Sequence, residues 1–224
     1  MQSVLTVLIL LPATAIVGYL LGSLNAAIVV SRLLKGDDIR RHGSGNAGMT
    51  NMLRTYGKGP AALTALVDFG KGAVAIILAR LAVSHFLPVG GGELHIDIGY
   101  IAGIAAMLGH MFPIYFGFKG GKGVMTALGV ILCVNPLVFI IVAGVSIPLV
   151  FIIKIVSLCS ILGAASLPIV TWLVLHLQGR PPMPEALLAG AIGLLIIVMH
   201  KENIKRLRAG TENKFGQKKS EDKA

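Results

Sequence analysis

The chain has 224 residues, 55% of them hydrophobic and 13% charged, with a mean hydropathy of +0.82. No ordinary soluble domain of this size carries so apolar a composition, which leaves an all-α, polytopic integral membrane protein. A net charge of +10 would suggest nucleic acid in a soluble chain. Here the basic residues fall in short segments between apolar runs, as membrane topology requires, so no nucleic-acid partner is expected and the lipid bilayer is the surrounding medium. Cys133 and Cys159 both lie inside apolar runs and read as small buried hydrophobes, with no metal centre and no cofactor indicated.

A bilayer core about 30 Å thick needs roughly 20 apolar helical residues, and runs ended by charge, Gly or Pro predict spans at 5–34, 60–86, 96–114, 124–134, 136–153, 155–177 and 184–199. The first run contains Ala-Thr-Ala, which mimics a signal cleavage site. No positive segment precedes it and the apolar character continues past it, so it reads as a retained span. The run at 124–134 is short for a crossing, and merging it with the next through Asn135-Pro136 would give six spans with one kink. Charge favours seven. Segments 35–59, 115–123, Lys154 and 200–224 then share one face with nearly all Lys and Arg, leaving Arg180, and at most Arg80, opposite. That places the N-terminus outside and the C-terminus in the cytoplasm. Residues 1–213 form one membrane domain, and 214–224 a basic, solvated tail drawn weakly to anionic lipid.

Three polar segments interrupt the apolar pattern: GSGNAGMTNMLR at 43–54, GHMFPIYFGFKGGKGVMT at 109–126 and HKENIKRLRAGTE at 200–212. Even numbers of predicted spans separate them, so all three meet at one membrane face. In the first, Gly43, Gly45 and Gly48 free the backbone to turn its N–H groups toward an anion. Ser44, Asn46, Thr50 and Asn51 add hydrogen bonds, and Arg54 a bidentate phosphate contact. In the second, Lys119 and Lys122 alternate with Gly120, Gly121 and Gly123 ahead of a helix beginning near Val124 and Thr126, again an anion-binding arrangement. Phe116 stands where a nucleotide-binding P-loop needs its first glycine, so nucleotide hydrolysis is unsupported.

In the third segment, His200 and Asn203 share a helical face, with Lys205, Arg206 and Arg208 nearby. His200 is either a structural cap or a catalyst, and Glu212 either orients a basic residue or is merely solvated. Asp68 and Lys71, one turn apart within the second span, either pair with each other or face a polar cavity, since lipid would penalise either charge. His110 is placed to support the second loop, and Asp97 reads as boundary solvation.

Together these segments resemble the signature motifs of the bacterial acyl-phosphate:glycerol-3-phosphate acyltransferase family, from the first span to about Glu212. The resemblance implies seven spans with the motif loops at the cytoplasmic face of the bacterial cell membrane. It implies transfer of a fatty acyl group from acyl phosphate to the 1-hydroxyl of glycerol 3-phosphate, giving lysophosphatidic acid and inorganic phosphate at the first step of phospholipid synthesis. Acyl phosphate and glycerol 3-phosphate would be the substrates, and a soluble enzyme making acyl phosphate a partner. By motif position the phosphate-binding and catalytic roles fall on Ser44, Asn46, Arg54, Lys119, Lys122, His200 and Asn203. Departures are confined to Ala47, Met125 and the Gly-Ser-Leu-Asn at 22–25, and remove no polar group. None of the six histidines begins the His-x4-Asp pair of acyl-CoA-dependent acyltransferases. Two proton acceptors stay open, His200 and a substrate phosphate oxygen. The alternative class of function is a carrier for organic phosphate anions, although no repeat and no outer polar gate is visible.

Overall fold

The computed structural model describes residues 2–86 and 97–214, with side chains from residue 8 onward. The predicted span start at residue 96 and the tail beyond residue 214 lie outside the described residues. Those described form α1 (Gln2–Ser23), α2 (Ala26–Lys35), α3 (Met49–Tyr56), α4 (Lys58–Phe86), α5 (Ile98–Met111), α6 (Val124–Val134), α7 (Pro136–Ile153), α8 (Val156–Leu177), α9 (Met183–Met199) and α10 (Lys201–Arg208), with 3-10 turns at Ile39–Arg41 and Ile114–Phe116 and no strand.

The predicted first span is not one uninterrupted helix. It breaks at Leu24–Asn25, because the Asn25 side chain accepts the Ile28 N–H at 3.2 Å and starts α2 afresh. The freed groups find partners on α4: Lys71 Nζ donates to the Leu24 carbonyl at 3.1 Å, and the Ala26 N–H donates to Asp68 Oδ1 at 3.4 Å. By length and apolarity, 8–35, α4, 98–116, α7 and α8 can each cross a membrane, and α9 with α10 qualifies only as a pair bent by 60°. Helix α6 has 11 residues, about half a crossing. Asn135 separates it from α7 by capping the Val138 N–H at 3.2 Å, while Pro136 begins the new helix.

The main core joins Ile76, Tyr100, Met107, Val130, Val138, Leu167 and Ile192 from α4 to α9. Helices α1 and α5 approach so closely that a Cβ on Gly22 would lie 2.0 Å from the Ala106 carbonyl oxygen, the small-residue packing that apolar solvent demands. Leu66, Val145, Ile152 and Ile169 point outward. A second cluster of Ile28, Ile39, Ala47, Met52 and Ala61 packs the segment between α2 and α4 onto the bundle, so the first polar motif has its own core. Asp97, expected as boundary solvation, instead caps α5 through the Gly99 N–H at 2.8 Å and pairs with Arg80.

Candidate active site

A cavity of ≈1110 Å3 opens at the end of the bundle where α3, α6, α8, α9 and α10 begin or finish. All three motifs reach it. Ser44, Asn46, Thr50 and Arg54 line it from the first, Lys122 and Gly123 from the second, and His200, Asn203, Arg206 and Glu212 from the third.

The first motif folds around Asn51. Its Oδ1 accepts the Ser44 N–H at 3.0 Å, and its Nδ2 donates to the carbonyls of His42 at 3.0 Å and Ile39 at 3.3 Å. Gly43 and Gly45, with φ of +56° and +71°, supply the left-handed turns that this wrap requires. Asn51 therefore holds the loop together, with both ends of its amide already engaged, rather than reaching for phosphate as expected. The nest of amides is also closed in part, since the Gly45 N–H donates to the His42 carbonyl at 2.9 Å. Ser44, Asn46, Thr50 and Arg54 bring side-chain chemistry to the cavity, which Gly43, Gly45, Gly48 and Asn51 also line. The Arg54 guanidinium has no ion-pair or hydrogen-bond partner among the described residues.

The second motif departs further from expectation. The N–H groups of Gly120 and Gly121 donate to the Met111 and His110 carbonyls at 3.1 Å each, satisfying the exposed C-terminal end of α5 instead of an anion. Their lack of side chains has a packing cause, for a Cβ on Gly121 would fall 2.5 Å from the Ala47 carbonyl oxygen and 2.2 Å from His110 Nε2. Lys119 is exposed and outside the cavity lining. Thr126 is fully buried in α6 with its hydroxyl unpartnered, also outside it. Lys122 alone carries the motif's charge into the cavity, where it donates to Asn203 Oδ1. Burial pushes its ammonium down to about 8, the Glu212 carboxylate opposing this and Arg206 and Arg54 adding to it.

The third motif centres on Glu212, which is more than a solvated acid. Its Oε1 accepts from Asn203 Nδ2 at 2.7 Å and from Ser157 Oγ at 3.0 Å, and its Oε2 from Arg206 Nε at 2.7 Å. Burial opposes its charge, but these three donors hold the carboxyl below its usual range. His200 occupies the bend between α9 and α10, where its Nδ1 lies 2.8 Å from the Ile196 carbonyl. A carbonyl can only accept, so Nδ1 carries the proton and Nε2 keeps its lone pair. Burial, reinforced by the Lys122 charge, lowers the imidazole to about 4 and keeps it neutral.

Behind the loops, Lys71 Nζ lies 2.8 Å from Asp68 Oδ1 and 2.8 Å from His110 Nδ1. The expected pairing of Asp68 with Lys71 is realised, and the expected exposure to a polar cavity only for Asp68, which lines it together with His110. Lys71 itself does not.

Arg40 escaped sequence reasoning. Its Nε and Nη2 fork onto Asp38 at 2.9 and 2.8 Å, and its Nη1 reaches the Phe116 and Lys119 carbonyls at 2.8 and 3.0 Å. It thereby ties the first motif's base to the second. The signal available was the acidic pair Asp37-Asp38 two residues ahead of it. Asn25, which donates to the Ala47 carbonyl at 3.4 Å, and Ser157 were missed as well, both being single polar residues in apolar runs.

Residues 12–210 match the family model for glycerol-3-phosphate acyltransferase. A relative named glycerol-3-phosphate acyltransferase from Synechococcus elongatus is 40% identical over 211 residues, 93% of this chain and 96% of the relative. The crystal structure of PlsY (YgiH), an integral membrane glycerol 3-phosphate acyltransferase, in its glycerol 3-phosphate form superposes with a TM-score of 0.77 at 40% identity, over 92% of this chain and 96% of that one. Its lysophosphatidic acid form superposes with a TM-score of 0.74 at 38% identity, over 92% and 95%. Helices, cavity and motifs thus coincide with likeness along nearly the whole length, and the chain belongs to the glycerol-3-phosphate acyltransferase family of integral membrane acyltransferases.

Proposed function

We propose that the chain transfers an acyl group from acyl phosphate to the 1-hydroxyl of sn-glycerol 3-phosphate. The observation that carries this reading is one cavity into which Arg54, unpaired among the described residues, a half-buried Lys122 and a neutral His200 all face. Both substrates are phosphate monoanions or dianions, and the donor is already activated. The protein's task is to hold two anions, align hydroxyl with carbonyl and steady the oxyanion. Ser44, Asn46 and Arg54 hold one phosphate, and Lys122 with Arg206 the other.

The hydroxyl oxygen attacks the acyl carbon, the bond from that carbon to the bridging phosphate oxygen breaks, and the hydroxyl proton leaves with inorganic phosphate. His200 Nε2 accepts the hydroxyl's hydrogen bond and aims it. An imidazole lowered to about 4 is a poor resting place for the proton, so a phosphate oxygen of the donor takes it. Asn203 and Glu212 position Lys122. The membrane arrangement that fits is seven crossings with α6 as the short one, N-terminus outside, and the cavity at the cytoplasmic face, as the basic segments around it favour.

Purified protein given acyl phosphate and glycerol 3-phosphate in detergent should release phosphate and form the lysolipid in equal amounts. Uptake of glycerol 3-phosphate into liposomes without turnover would overturn the enzyme reading. Replacing His200 with Ala should leave the pH dependence of the residual rate without a new limb near the ordinary histidine range, because His200 does not titrate there.

A further inference from the structure

The cavity has a floor whose chemistry differs from its walls. Asp68 and His110 line it beneath the cationic loops. Every contact given to the Asp68 carboxylate falls on Oδ1: the Lys71 ammonium at 2.8 Å, His110 Nδ1 at 3.4 Å and the Ala26 N–H at 3.4 Å. Oδ2 receives no hydrogen bond among the described residues. It is not sealed in either, because the enclosed side-chain polar atoms without a partner are Tyr56 Oη and Thr126 Oγ1. The same holds for His110 Nε2. Lys71 can only donate, so His110 Nδ1 accepts from it and the ring proton sits on Nε2. The floor therefore presents one acceptor, Asp68 Oδ2, and one donor, His110 Nε2–H, both 3% exposed or less as residues and both opening on the cavity.

A carboxylate acceptor beside a neutral N–H donor is the complement of a hydroxyl, which gives one hydrogen bond and takes one. It repels a phosphate, which the cationic walls take instead. We propose that Asp68 and His110 bind the 2-hydroxyl of the acceptor substrate and determine its specificity. The assignment rests on glycerol 3-phosphate being that substrate. Asp68 reads a hydroxyl and does not deprotonate one: its Oδ1 is taken by Lys71, and the reacting hydroxyl is aimed by His200 Nε2 instead. Lys71 is a positioning residue, fixing the Asp68 oxygen and the His110 tautomer at once.

The test compares glycerol 3-phosphate with 3-hydroxypropyl phosphate, which keeps the reacting hydroxyl and the phosphate but lacks the 2-hydroxyl. In the unmodified protein kcat/KM should fall about 10- to 100-fold for the analogue, the range for a lost hydrogen bond to a charged acceptor. In Asp68→Asn and His110→Gln that ratio should shrink toward one, because the discriminating partner is gone. Equal use of both substrates by the unmodified protein overturns the proposal with no variant needed. So does an equal loss on both substrates in Asp68→Asn with the ratio preserved, since that makes Asp68 structural or places it on the reacting hydroxyl. Failure of the unmodified protein to acylate glycerol 3-phosphate at all would instead remove the functional reading beneath it.

Discussion

The two sides of the cavity are built differently. On one side the first and second motifs are locked to each other and to the bundle: Arg40 reaches across to the Phe116 and Lys119 carbonyls, Asn25 to Ala47, and Lys71 joins Leu24, Asp68 and His110. On the other side, α9, α10 and the segment to Glu212 form a network of their own through Ser157, Asn203 and Arg206. At this end of the bundle, the side-chain hydrogen bond that joins the two sides among the described residues is Lys122 to Asn203. One side is preorganised by backbone carbonyls that no ligand competes for. The other is docked by an ammonium that an incoming phosphate would also seek.

The most severe way to break this contrast is Lys122→Ala, which removes the joint and a phosphate ligand together. A loss of about 10²–10³ in kcat is expected from removing one preorganised donor, measured as phosphate release from acyl phosphate. Arg40→Ala comes next, because it separates the loops without touching the cavity lining. Hydrogen bonds to a charged donor contribute about 1.5–3 kcal/mol, so thermal unfolding in detergent should move down and kcat/KM should drop about tenfold. Arg40→Lys should rescue little, since an ammonium cannot fork onto Asp38 while reaching two carbonyls. Arg41→Ala, which alters an exposed neighbour, should behave like the unmodified protein.

The joint also has a pH signature. With Lys122 lowered to about 8 by burial, its positive form is present below that pH and disappears above it. The rate kcat/KM should therefore decline as pH rises through about 8, a limb absent in Lys122→Arg. The smallest effect belongs to Glu212→Gln, which keeps acceptors for Asn203 and Ser157 but removes the charge. That charge favours the Lys122 ammonium, so the alkaline limb should move to lower pH with only a few-fold loss of rate at neutral pH. A limb that stays in place would show that the two sides are not electrostatically joined.

Much of this was legible in the residues. The junction of α6 and α7 follows from Asn135-Pro136, since one caps and the other cannot continue a helix. The meeting of three motifs at one cavity followed from counting crossings, and the Asp68–Lys71 pair from helical spacing. What sequence could not separate was polar residues of like type. Asn46 and Asn51 both line the cavity, but the Asn51 amide is spent on bracing its loop, and only the tertiary positions of the Ile39 and His42 carbonyls distinguish them. Gly120 and Gly121 looked like anion donors because the carbonyls they satisfy, those of Met111 and His110, sit at the far end of the same segment, in the last turn of α5. Arg40 passed as one more basic residue of a charged loop, since neither carbonyl it binds is within seventy residues of it. The break at Asn25 was hidden in an unbroken apolar run, although an Asn there is a capping residue.

That break bears on how the protein is made. An unpaired carbonyl and an unpaired amide are costly in a hydrocarbon medium, and the first span has both at Leu24 and Ala26 until Lys71 and Asp68 arrive on α4. Lys71 and Asp68 are equally unwelcome there alone. The opening segment and α4 thus become compatible with lipid as a hairpin rather than one after the other, so biogenesis of the molecule is cooperative from its first two crossings.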